Sequence, residues 1–326
     1  MLGRVNRVIT SLSLCVGVCV GSTAFAEDSS ESVISQVYRG IPHDALYDVC
    51  FKGENGLSVG AAGVLLTSSD SGLSWQIEEP TNDLALLGVT CRGSNTIVVG
   101  QAGHAQRRTD GGDWQVLSTG TKERLMSVSA NDSGLTFIVG GFGVVLRSQD
   151  AGVTWQPVTL DWEGILNDFI EPHIYDVTVF DDNTVIMVGE FELVLLSTDG
   201  GDTWETMNKG DSSLSGIHFR DRQNGYAVGQ DGRVIKTVDG GLNWQRLEVP
   251  SRENLLDVWS NSKGRVAVVG IRTLLRSQDD GLNWESVTED DIPVRWYQAV
   301  EGAPLGATGE DNVVMVGHSG RIVQIK

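Results

Sequence analysis

Basic side chains are scarce in this chain: 24 lysines and arginines stand against 43 aspartates and glutamates, a net charge of −19. A face that neutralises phosphates cannot be assembled from that balance, so duplex and RNA binding are set aside. Proline is equally rare, with 7 in 326 residues, and neither a Pro-rich linker nor a low-complexity tract occurs. After Val20 no apolar run approaches the length of a helical membrane span, and no span is expected. The usual catalytic strings are also missing. The five histidines, His43, His104, His173, His218 and His318, form no H-E-x-x-H or comparable metal spacing, and no P-loop, G-x-S-x-G elbow or C-x-x-C appears. Gly60-Ala61-Ala62-Gly63 reads as a tight turn without a dinucleotide fingerprint. No cofactor or metal site is expected.

Cysteine is limited to four residues, and two of them fall in a leader. Arg4 and Arg7 precede the apolar run Val8–Val20, and Ala24-Phe25-Ala26 has the A-x-A form of a signal-peptidase site, so cleavage after Ala26 and export are expected. Leu14 and Val18, just before Cys15 and Cys19, are too large for a lipoprotein signal. That leaves Cys50 and Cys91, at similar places in neighbouring repeats. Two readings stand, a bridge or two buried thiols. The second is favoured because the adjacent backbones are expected to lie beyond bridging distance.

What the chain has in excess is glycine, 40 residues, and tryptophan, nine. Both follow from a repeat. Valine- or methionine-rich strands end in glycines 60, 100, 140, 189, 229, 270 and 317, spaced by 40, 40, 49, 40, 41 and 47 residues. Six of these strands are followed by the unit S/T-x-D-x-G-x-T/S/N-W, with Asp70, Asp110, Asp150, Asp199, Asp239 and Asp279 and the closing Trp75, Trp114, Trp155, Trp204, Trp244 and Trp284. The Trp114 copy is one residue short, which should deform its turn. Short alternating runs with a period near 40 predict one four-stranded sheet per repeat. Such a sheet has apolar residues on both faces and can bury them only against other sheets, so the expected fold is all-β: a single seven-bladed propeller over residues 27–326. The seventh repeat supplies three strands, near Arg295–Val300, Val313–Val316 and Arg321–Ile325, and its fourth is expected from the N-terminal segment Val33–Ile41.

The recurring aspartate unit reads as a hairpin between the third and fourth strands. The carboxylate accepts turn amides, glycine takes a positive φ and the indole packs between blades. Each aspartate sits alone on its blade, so these are folding tasks rather than catalysis or metal binding. Asp-boxes with V-G-x-x-G turns (Val59-Gly60 to Gly63, Val228-Gly229 to Gly232) and L-x-D-V entries (Leu46-Tyr47-Asp48-Val49, Ile174-Tyr175-Asp176-Val177, Leu255-Leu256-Asp257-Val258) resemble the photosystem II stability/assembly factor family and its bacterial relatives, over essentially residues 33–326. The resemblance implies a non-enzymatic scaffold that docks on newly made subunits of a membrane complex. Photosynthetic members use an arginine-lined surface on the photosystem II reaction centre. Here Arg147, Arg233, Arg272, Arg276 and Arg321 are scattered among acids, so another membrane or envelope complex, such as an efflux-type transporter, is an equal candidate. A monomeric protein in the periplasm, or in the thylakoid lumen of a photosynthetic source, is expected.

One connection breaks the repeat. Trp155 to Ile174 takes nineteen residues where others take about ten to twelve, and the insertion at 157–173 carries Trp162 and Phe169 among acids. With Phe142 and Glu190-Phe191-Glu192 on neighbouring turns, it is a candidate patch for a basic or amphipathic protein segment. The competing reading is a loop that buries Trp162 locally. Glu289-Asp290-Asp291 reads as a solvated acidic loop rather than a calcium loop. The rival class is a glycan-binding or sialidase-like propeller, echoed only by Tyr38-Arg39-Gly40-Ile41-Pro42. Its inserted glycine shifts Arg39 out of phase. A single ring also lacks the interfacial carboxylate pair of tandem-propeller glycosidases.

Overall fold

The computed structural model describes residues 32–109, 112–306 and 310–326. The expected leader, 1–26, and Asp110 lie outside the described residues. Seven four-stranded antiparallel sheets form the blades, with inner strands Leu46–Lys52, Leu86–Thr90, Leu125–Ala130, Ile174–Val179, Leu214–Phe219, Leu255–Ser260 and Tyr297–Leu305. As expected, the last blade is completed from the other end of the chain: Ile34–Tyr38 pairs with Ile322–Ile325 as its outer strand. Ser32 Oγ and Val33 N–H both donate to Glu289 Oε2, at 2.7 and 2.9 Å, which pins the start of that strand to the preceding connection. The second and third strands of this blade, Glu310–Gly317 and Ile322–Ile325, are in place, but its first hairpin is longer than the sequence pattern indicated.

Seven apolar clusters occupy the seams between adjacent blades. Between blades 2 and 3, for example, Ile97 and Val99 of one sheet pack against Leu125, Val128 and Ile138 of the next. This is why the strands read as apolar on both faces: each sheet is a filling between two others.

The recurring glycine at the end of each second strand has a steric cause. Gly60 is extended, and a Cβ added there would collide with the carbonyl oxygen of Ala45, which accepts the Ala61 N–H at 2.9 Å. All seven strand-end glycines meet the residue before their own inner strand in this way.

In the complete aspartate units one network recurs. Ser68 Oγ donates to Asp70 Oδ1 (2.8 Å) and accepts the Gly72 N–H (2.9 Å). Ser74 N–H and Oγ donate to the two Asp70 oxygens at 2.9 and 2.6 Å, and Trp75 Nε1 donates to the Gly72 carbonyl. Asp150, Asp199, Asp239 and Asp279 repeat the bonds to the carboxylate, which hold these carboxyls below the usual range, Asp150 at about 2, while the indole bond recurs at Trp204, Trp244 and Trp284 but not at Trp155. The short unit differs as its length demands. Trp114 Nε1 donates to Glu78 of the previous blade at 2.8 Å, and its ring lies under the Arg108 guanidinium.

The favoured reading of the cysteines is corrected. Cys50 and Cys91 form a disulfide with Cα atoms 5.6 Å apart. Both sit on or directly after inner strands, where neighbouring blades converge toward the axis, so equivalent positions come within bridging distance.

Candidate functional site

The aspartate hairpins and the first-to-second-strand turns share one face: Ser71 N–H bonds the Glu54 carbonyl, and Ala151 N–H that of Gly134. The second-to-third-strand turns and the blade-to-blade connections share the other, where Gly143 N–H bonds the Pro172 carbonyl. The insertion lies on this second face.

There the chain makes a short helix, Trp162–Leu166, capped by the Asp161 carboxylate accepting the Gly164 N–H at 3.0 Å. Trp162 points inward and is 9% exposed. Its indole lies on Gly143, where any side chain would collide with it, and it joins the apolar seam with Val145, Val177 and Leu193. Leu160, Ile165 and Leu166 pack beside it. Trp162 is therefore a packing residue, as the competing reading held.

The remaining candidates divide. Phe169 is 87% exposed on the loop leading back to His173, and Phe142 is 61% exposed at the tip of the blade 3 turn. Phe142 N–H donates to His173 Nδ1 at 3.0 Å and the two rings meet edge-on at 4.9 Å, while Glu190 accepts the His173 N–H at 2.8 Å. Phe142 and Glu190 thus converge on one histidine. Phe191 is half-buried, and Glu192 turns inward toward Arg233 at 3.4 Å. Phe142 has φ +52° and Phe191 +62°, the left-handed region, where blades 1, 2 and 5 place Ala62, Ala102 and Asp231. A bulky aromatic in that conformation is strained by about 1–2 kcal/mol, and nothing in the fold requires one there. A groove of about 510 Å³ runs between the 118–121 connection and the insertion, lined by Thr119, Phe142, Trp155, Leu160 and Glu171.

A second concavity runs down the axis, and the sequence reading did not find it. Asp48 accepts the N–H of its own neighbour Val49 and that of Val89 on the next inner strand, both at 2.7 Å. Asp176 bridges likewise to Ile217, and Asp257 to Val300. The carboxylates replace the ladder bonds that adjacent blades lack. Burial, with repulsion from Asp176 and Glu301, pushes Asp48 up to about 8. Burial puts Asp176 at about 6 and Glu301 at about 7, and Asp257 well above the carboxylate range.

A pH dependence follows. These carboxyls hold protons in the folded protein up to pH 6–8 but lose them near 4 when unfolded, so their contribution is fully present at low pH and is lost as pH rises through the folded values. His218, lowered to about 4 by burial, works oppositely below its ordinary value of 6.5. From pH 6.5 to 8.5 the carboxyls act alone, and the melting midpoint is expected to fall by a few degrees. Asp48→Asn should flatten that slope in a thermal scan.

The other candidate clusters are taken by partners of the chain itself. Asp291 accepts from Arg321 (2.6 Å) and Tyr297 (2.9 Å), and Asp290 from Arg321. Arg39 is exposed directly after the closing strand and lines neither the groove beside the insertion nor the axial concavity. Among the described residues no group of His, Cys, Asp and Glu is placed to hold a metal ion, and no helix is long and apolar enough to cross a membrane.

Residues 107–216 and 209–326 match the family model described as "Photosynthesis system II assembly factor YCF48". None of the curated proteins matches the chain. Among solved structures, YCF48 bound to D1 peptide superposes with a TM-score of 0.69 at 17% identity, covering 91% of this chain and 96% of that one. YCF48 from Cyanidioschyzon merolae gives 0.69 at 18%, covering 90% and 98%, and the WD40 propeller domain of Doa1 gives 0.67 at 14%, covering 90% and 95%. These similarities carry the fold, and the family model carries the kinship: the chain belongs to the photosynthesis system II assembly factor YCF48 family, whose propellers are binding scaffolds rather than enzymes.

Proposed function

We propose that the chain is an exported docking factor that holds a basic or amphipathic segment of a membrane- or envelope-complex subunit during assembly. The observation that carries this reading is Phe142, an exposed aromatic held in a left-handed turn beside Glu190 and the acid-rich insertion. Strained exposed residues of this kind mark binding sites, and aromatic anchors dominate interface energetics. The solved relative bound to a D1 peptide supports a polypeptide ligand. The Cys50–Cys91 disulfide fits an oxidising compartment, in agreement with the leader at 1–26.

The experiment follows from where the side chains point. Trp162 and Glu192 support the fold and are unsuitable as binding probes. Phe142→Ala with Phe169→Ala removes two exposed rings and leaves the seam intact. The double variant, folded by circular dichroism, is expected to lose at least tenfold in affinity for the membrane-complex subunits that co-purify with the parent protein, about 1.4 kcal/mol or more. Undiminished recovery of the same subunits would sink the assignment.

A further inference from the structure

Every inner strand carries a bulge at one place. In blade 1, Leu46 faces Gly60 and Asp48 faces Val59, which leaves Tyr47 without a partner, and the same slip occurs in the other six blades. A bulge turns its extra residue out of the ladder. Because the inner strands surround the axis, the seven extra residues ring the channel mouth on the connection face. Five of them are apolar or aromatic: Tyr47, Leu87, Met126, Tyr175 and Leu256. They enclose a recess of about 80 Å³ whose inner end is formed by Asp48, Asp176 and Asp257. The mouth continues into the docking corner through ring contacts, Tyr175 tilted against His173 at 6.2 Å and His173 edge-on to Phe142 at 4.9 Å. On the opposite side Tyr47 stacks on Trp296.

The chemistry of the recess selects its occupant. It is far below the roughly 300 Å³ of a drug-sized ligand site, so it admits one slender side chain. Five of the seven ring positions in its wall are apolar or aromatic, Ser215 and Gln298 are polar, and its floor carries three acidic groups. Each carboxylate oxygen that accepts one N–H retains a second lone pair; Asp176 Oδ1 also accepts the Ser127 hydroxyl at 2.6 Å, so Asp176 offers its Oδ2. The three groups lie deep in the ring yet keep accessible surface toward the channel. A cation arriving among them favours their ionised form, which burial and mutual repulsion otherwise oppose. An ammonium, with three donors on a flexible four-carbon stem, suits three acceptors around an axis better than the planar fork of a guanidinium.

We propose that the axial mouth receives a lysine side chain of the docked polypeptide, its stem held by Tyr47, Leu87, Met126, Tyr175 and Leu256 and its ammonium by Asp48, Asp176 and Asp257. This rests on the docking reading above and adds the residue that the surface selects for.

The test uses the leader-free chain labelled with carbon-13 at the aspartate carboxyls, with n-butylammonium as the lysine side-chain probe and butan-1-ol as its neutral counterpart. At pH 7.5 the ammonium is expected to shift the Asp48, Asp176 and Asp257 resonances and to lower their titration midpoints, whereas the alcohol leaves the midpoints in place. Ser215→Trp fills the mouth from a ring position that carries no carboxylate. It should abolish the shifts and weaken the co-purifying subunits at least tenfold. Ser215→Lys, which supplies its own ammonium, should do the same if the larger substitution fails to fold. No response to n-butylammonium, or a response to magnesium or calcium alone, overturns the proposal. A normal loss of partner in the Phe142/Phe169 variant, with no effect of either Ser215 variant, overturns it while leaving the docking corner standing. Loss in the Ser215 variants alone supports the axial site and removes the corner.

Discussion

Gly229→Ala is expected to destabilise the protein by about 3 kcal/mol or more, the upper range for forcing one extra methyl into a packed interior. Gly229 closes the second strand of blade 5 with φ −175° and ψ −149°, an extended conformation that any residue adopts. Conformational freedom is not what the position requires. A Cβ there would overlap the Ser213 carbonyl oxygen and stand 2.9 Å from Leu214 Cα, and that carbonyl accepts the Gln230 N–H at 2.9 Å. Relief demands that the inner strand move, and Leu214 at its start is fully buried in the seam with blade 4. Gly120→Ala is the control. It has φ +74° with nothing within 4 Å of the added carbon, so only the left-handed penalty of about 1–2 kcal/mol applies. Urea unfolding of both variants should rank Gly229→Ala clearly below Gly120→Ala, and equal midpoints would discard the close-approach explanation.

The same glycines explain why the ring was legible in the sequence. A backbone collision that recurs once per blade forces one residue type at a fixed phase, and seven such positions announce seven sheets. The closing strand followed from edge chemistry, since the seventh repeat had three strands and the N-terminal segment one. What the sequence did not disclose depends on relations between blades. The reach between Cys50 and Cys91 is set by how closely inner strands approach at the axis, a property of ring closure that neither strand encodes. The convergence of Asp48, Asp176 and Asp257 is hidden likewise. Their L-x-D-V strings were visible, but only the ring brings residues so far apart in sequence around one axis. The insertion misled for a local reason: its helix, Trp162–Leu166, is five residues long, too short for a 3.6-residue periodicity to show which way Trp162 faces.

Breaking the bridge by Cys50→Ser with Cys91→Ser is expected to cost about 2–4 kcal/mol, the range for a loop of this size. The bridge joins residues 41 apart in sequence and ties blade 1 to blade 2. That seam has particular need of it. Blade 2 has the shortened aspartate unit, and its tryptophan is held from across the seam: Trp114 and Arg108 both bond Glu78, at 2.8 Å. Asp48 reaches Val89 over the same boundary, and Lys52 Nζ the Gly93 carbonyl at 3.3 Å. The tryptophan of blade 2 is held from blade 1, so a loss of cross-links should be felt there first. Hydrogen exchange of the double variant should show early loss of protection in residues 46–116 while blades 4 to 6 remain protected. The unfolding midpoint of the parent protein should drop by a similar amount when it is reduced. A midpoint unchanged by reduction would mean that the seam holds through Asp48, Glu78 and apolar packing alone.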